Sequence, residues 1–78
     1  MENTNGSVVE RIKVGGITAT VWKNELGGKE YLTVTLQKSY KDRVGEWKRT
    51  NSLRQNDVPK AVLALQQAFE TIALSKVE

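Results

Sequence analysis

The stretch "ITATVWKNELGGKEYLTVTLQKSYK" runs from Ile17 to Lys41. Two alternating runs flank a pair of glycines, Gly27 and Gly28. In the second run Leu32, Val34 and Leu36 alternate with Tyr31, Thr33, Thr35 and Gln37, the period of a strand with one buried face. In the first, "ITATVWKN", Ile17, Ala19 and Val21 share one side and Thr18, Thr20 and Trp22 the other. Paired glycines between such runs suit a tight hairpin, because glycine enters the left-handed backbone region at no steric cost. The stretch therefore predicts two antiparallel strands with one apolar and one polar face.

The same chemistry repeats towards the N-terminus, where Gly15 and Gly16 join Ile17 to the strand-like run "VVERIKV", Val8–Val14. Met1–Ser7 holds nothing to bury and predicts a disordered tail. Beyond Lys41, "DRVG" (Asp42–Gly45) predicts a short loop and "EWKRTNSLR" (Glu46–Arg54) a more polar fourth strand. Alternation there groups Lys48, Thr50, Ser52 and Arg54 on one face, and Trp47, Arg49, Asn51 and Leu53 on the other, with the apolar side. Tyr40 shares the parity of Leu36 but lies close to the loop.

The period then changes. "NDVPKAVLALQQAFETIAL" (Asn56–Leu74) predicts a helix, with Asp57 as N-cap and Pro59 in the first turn, where a missing amide hydrogen costs nothing. Val58, Ala61, Val62, Leu65, Ala68, Phe69 and Ile72 form an apolar stripe at helical spacing. Leu63 and Leu74 lie off that stripe and point to a second covered face, supplied by another subunit. The fold class expected is α+β: a four-stranded antiparallel sheet followed by one C-terminal helix packed on one face, in a single domain over residues 8–78. One helix leaves the other face of the sheet bare.

Composition narrows the function. A chain of 78 residues has a marginal core by itself, which again argues for a homo-oligomer. Cysteine and histidine are both absent, and the nine acidic residues form no paired cluster. These absences remove the commonest nucleophile, general base and metal ligands, so neither an enzyme nor a bound metal or cofactor is expected. No apolar run is long enough to span a bilayer and "MENTNGS" is no signal segment, so an intracellular protein is expected, cytoplasmic or nucleoid-associated, or nuclear in a eukaryote. The net charge of +3 is unevenly placed. Lys38 to Arg54 holds six basic residues against two acidic, whereas the rest holds six against seven. Such local excess suits a polyanionic partner.

The bare face collects the means to bind one. Trp22 and Tyr31 offer rings on which unpaired bases stack. Thr33, Thr35 and Thr50 offer hydroxyls, while Lys48 and Arg54 neutralise phosphate. Lys41 and Arg43 add charge at the hairpin tip, and Tyr40 is available there for stacking. By parity Trp47 falls with Leu53 at the core margin, unless a bulge or twist exchanges the faces.

The order strand-strand-strand-strand-helix, and within it "YLTVTLQKSYKDRVGEWKRTNSLRQNDVPKAVLALQQAF", resembles the positive cofactor four family of transcriptional coactivators. The likeness runs from about Val8 to Ile72 and lies in architecture and residue character. It implies a homodimer formed through the C-terminal helix, with curved sheets that hold single-stranded DNA with little sequence preference. By position it makes Lys38, Tyr40, Trp47, Lys48 and Arg49 DNA contacts, which for Trp47 and Arg49 differs from the alternation. Acting on unpaired strands in transcription, replication or repair follows from the same likeness. Two alternatives stand beside it: RNA binding through the same sheet, and a protein-interaction module docking an acidic partner.

Overall fold

The computed structural model describes residues 6–74. Four strands, β1 (Ser7–Val14), β2 (Ile17–Leu26), β3 (Lys29–Lys41) and β4 (Trp47–Thr50), form one antiparallel sheet in chain order. A single 3-10 turn, Gln55–Asp57, leads into helix α1 (Val58–Leu74). The architecture is the α+β sheet-plus-helix arrangement read from the sequence.

Register follows from the turns. Val14 pairs with Ile17 across Gly15-Gly16, and Leu26 pairs with Lys29 across Gly27-Gly28. Gly27 and Gly28 both have positive φ, 61° and 83°, the pattern of a type I′ turn, so β2 and β3 run unbroken to their shared tip. β1 is less regular. Its register shifts between Val8, opposite Trp22, and Glu10, opposite Val21, which leaves Val9 as a bulge. Ser7 belongs to β1, opposite Lys23, rather than to a tail. The remainder of the expected tail, residues 1–5, lies outside the described residues, as do residues 75–78. β4 is shorter than the sequence suggested. After Thr50 the Ser52 amide donates to Thr50 Oγ1 at 3.0 Å, a local bond that competes with ladder pairing.

The core lies between β1–β2 and α1. Ile12, Ile17, Ala19 and Val21 meet Ala61, Ala64 and Ala68, with Val14, Val34, Leu36, Leu53 and Ile72 at the margin. Ile17 and Val21 are the large side chains fully removed from water. Each contributes about 1.5–3 kcal/mol on burial. The helix differs from expectation in which stripe it buries. Three alanines at spacings of three and four face the sheet, while Val58, Val62, Leu65 and Phe69 stay exposed. Small side chains bring the helix backbone close to β2, and the larger ones of the predicted stripe are displaced to its flank.

Asp57 is also placed otherwise than predicted. Its carboxylate does not cap the first turn of α1. Oδ2 accepts from Lys38 Nζ at 2.7 Å and from the Arg54 amide at 2.8 Å. The Asp57 amide in turn donates to the Arg54 carbonyl at 2.8 Å. This node ties β3 to the chain entering the helix. Lys38 beside it, with the Arg54 amide, holds the Asp57 carboxyl below the usual carboxylate range, against an opposing effect of burial.

Candidate nucleic-acid interface

In an antiparallel ladder, directly opposed residues share a face. The face away from the helix can therefore be read off the register. β1 contributes Val8, Arg11 and Lys13, opposite Trp22, Thr20 and Thr18 of β2. β2 adds Asn24 and Leu26 beyond Trp22, opposite Tyr31 and Lys29. β3 continues with Thr33, Thr35, Gln37, Ser39 and Lys41. On β4, Arg49 stands opposite Ser39, and Trp47 opposite Lys41.

This corrects the assignment made by alternation on the fourth strand. Trp47 and Arg49 lie on the open face, whereas Lys48 and Thr50 pair with Tyr40 and Lys38 on the helix side. The cause is the connection. The loop is not the expected Asp42–Gly45 but runs one residue further, to Glu46, and is closed by Asp42 itself. Its Oδ1 accepts from the amides of Val44, at 3.0 Å, and Glu46, at 2.9 Å. Its own amide donates to the Glu46 carbonyl at 2.9 Å. Lys41 is thereby set opposite Trp47, one step away from the parity that counting along Glu46–Arg54 suggests.

Among the residues singled out from the sequence, Trp22, Tyr31, Thr33, Thr35, Lys41, Trp47 and Arg49 come together on the open face. Lys38, Tyr40, Lys48 and Thr50 face the helix side. Lys38 is engaged by Asp57, and Lys48 lies 3.7 Å from Asp42. Arg43 is at the loop tip and Arg54 at the entry to the 3-10 turn. The sequence reading passed over Arg11, Lys13 and Lys29. Counting outward from the two glycine pairs would have found them, since each turn fixes the face of both flanking strands.

Charge is unevenly divided between the two sides, with cations and acids on the helix side and cations alone on the open face. Arg11, Lys13, Lys29, Lys41 and Arg49 all share the open face and are all exposed. The acidic residues within the described strands do the opposite. Glu10 pairs with Val21 and accepts from Thr71 of α1 at 3.0 Å; Glu25 and Glu30 pair with each other on the helix side. Lys23, also on that side, reaches Glu30 at 3.6 Å.

The aromatic side chains of the open face differ in how firmly they are held. Trp22, half-buried on β2, donates from Nε1 to Thr35 Oγ1 at 2.9 Å. Tyr31 is 45% exposed and Trp47 68% exposed. The Lys41 ammonium sits 5.6 Å from the centroid of the Trp47 ring, within cation–π reach. Between them runs a floor of hydroxyls and amides. Asn24 Nδ2 donates to Thr33 Oγ1 at 3.0 Å, and Thr20 is buried. Rings set among cations, with no carboxylate on the same face of the paired strands, can stack bases and neutralise phosphates together.

Among the described residues, no cluster of three or more carboxylates, histidines or cysteines could hold a metal, and no helix is long and apolar enough to cross a membrane. Comparisons with protein-family models, with curated proteins and with solved structures give no match.

Proposed function

We propose that this protein binds single-stranded nucleic acid on the open face of its sheet, with little sequence preference and as a homodimer. One observation carries the reading: five strand cations, Arg11, Lys13, Lys29, Lys41 and Arg49, and three rings, Trp22, Tyr31 and Trp47, share the face that every strand carboxylate among the described residues avoids. A merely solvated face would mix both signs, since nothing about solvation separates Glu from Lys. The surface also offers hydroxyls and rings in place of a base-reading helix, which suits unpaired strands better than a duplex groove. DNA is placed ahead of RNA on the resemblance to positive cofactor four alone, and so is a role in transcription, replication or repair.

The second copy is argued from the helix side. α1 lies mainly over β1 and β2, so Leu32, Val34 and Leu36 of β3 are only half-covered. On α1, Val62 is 58% and Phe69 65% exposed. The radius of gyration is 14.1 Å, against about 11.5 Å for a compact domain of this length. A thin two-layer molecule with an apolar helix flank beside a half-open apolar sheet is completed by the same helix from a twin subunit.

The test is a titration of the full chain with oligothymidine, a matched RNA strand and a duplex. Tight, salt-sensitive binding to the unpaired strands with quenched Trp emission is expected. Equal affinity for the duplex, or no binding at low salt, would overturn the proposal.

A further inference from the structure

Resting on that reading, we infer that Trp22 is the principal stacking platform of the open face and that Thr35 acts as its positioning residue. Three rings are present there, and they are not equivalent. Trp47 is on the short edge strand β4, largely exposed, with Lys41 over its ring. Tyr31 is near the β2–β3 tip and is 45% exposed. Trp22 instead has a paired strand on each side, opposite Val8 of β1 and Thr33 of β3, and its polar edge is fixed by Thr35.

The fixing bond crosses the ladder diagonally. Trp22 is paired with Thr33 but donates to Thr35, two residues further along β3. Its indole therefore leans along the sheet over the neighbouring strand. Nε1–H is a donor with no alternative role, so the direction of this bond is set by chemistry. Rotation about either side-chain torsion of Trp22 would break it. The ring is held before any ligand arrives, and a base landing on it does not have to order it first. Asn24 repeats the same diagonal one rung away, from Tyr31's partner position to Thr33. β2 thus donates and β3 accepts along the middle of the face. Thr35, which the sequence marks as a ligand contact, acts through Trp22 instead.

Thr35→Val removes the acceptor at nearly constant shape, and Thr35→Ser retains it. Oligothymidine affinity should fall about threefold to tenfold in Thr35→Val, the cost of ordering one freed side chain, and return in Thr35→Ser. Trp22→Ala should lose about tenfold or more. The indole N–H signal of Trp22, identified by its absence in Trp22→Ala, should exchange faster with water in Thr35→Val and stay protected in Thr35→Ser. Should Thr35→Val not fold, judged by circular dichroism, Thr35→Ala reads the same bond. If Trp22→Ala weakens binding while Thr35→Val binds as the parent does, with its indole proton still protected, the positioning role is refuted and the nucleic-acid reading stands. If the parent chain itself ignores oligothymidine, both fall together.

Discussion

Arg49 and Lys48 are sequence neighbours with the same charge, and the register sends them to opposite sides of the sheet. That makes them a sharp test of which face meets phosphate. The open face of one protomer carries Arg11, Lys13, Lys29, Lys41 and Arg49. If each neutralises one phosphate of a single strand, about five counterions are displaced, and log K against log salt has a slope of about −3.5. Between about 50 and 200 mM salt, affinity per face would then drop about a hundredfold. Arg49→Ala should reduce the slope to about −2.8 and the drop to about fiftyfold. Lys48→Ala should leave both unchanged, because its ammonium faces the helix side near Asp42. Fluorescence anisotropy of a labelled oligothymidine across a salt series measures all three proteins. Equal loss of slope in Lys48→Ala and Arg49→Ala, or loss in Lys48→Ala alone, would refute the placement of the interface on this face.

Other outcomes follow from the rest of the molecule. Asp57 is held below its ordinary range in the folded protein, so its contribution is present above the unfolded value of about 3.9 and is lost as pH falls through the lower folded one. Melting temperatures of Asp57→Asn and the parent should therefore differ at neutral pH and converge in acid; a constant gap down to pH 2 would contradict the Lys38–Asp57–Arg54 node. Gly16→Ala would place a Cβ 2.9 Å from the Ser39 carbonyl, beside the bond from the Ser39 amide to the Gly16 carbonyl. A loss of at least about 1 kcal/mol in urea denaturation is expected as that bond stretches, and an unchanged midpoint would show that the turn has room. Phe69→Asp should convert the proposed dimer to monomer in sedimentation velocity, with the fold kept, since this side chain is 65% exposed in the single chain. A dimer that survives it must use another surface.

Where geometry depends on near neighbours, the chain is easy to read. Two-glycine turns and clean alternation make the β2–β3 hairpin and its two faces legible from residues 17–41. Difficulty begins where a count must pass an irregularity. The bulge at Val9 puts Val8 on the face opposite to that given by a count from Gly15-Gly16. The Asp42-closed loop inverts β4, exchanging Trp47 and Arg49 for Lys48 and Thr50. Nothing in local propensity reports how many residues such a loop spends before pairing resumes. The helix shows a different limit. Its apolar residues cover two adjoining stripes, and periodicity cannot rank them. Which one turns inward depends on how near the helix can come to Ala19 and Val21, and there Ala61, Ala64 and Ala68 win over bulkier neighbours. Of the positions carried over from positive cofactor four, Trp47 and Arg49 lie on the open face, whereas Lys38, Tyr40 and Lys48 lie on the helix side, and Lys38 is engaged by Asp57.

The unbalanced positive charge on one side of the sheet gives the molecule an electrical up and down. A polyanion drifting nearby feels a torque on the protein before it touches anything, so collisions are sorted towards the productive orientation while still at a distance. Such guidance acts on the speed of capture more than on how long the complex lasts, and mobile ions erase it within about a nanometre at 0.1 M. A small scaffold can in this way catch passing strands quickly and yet let them go.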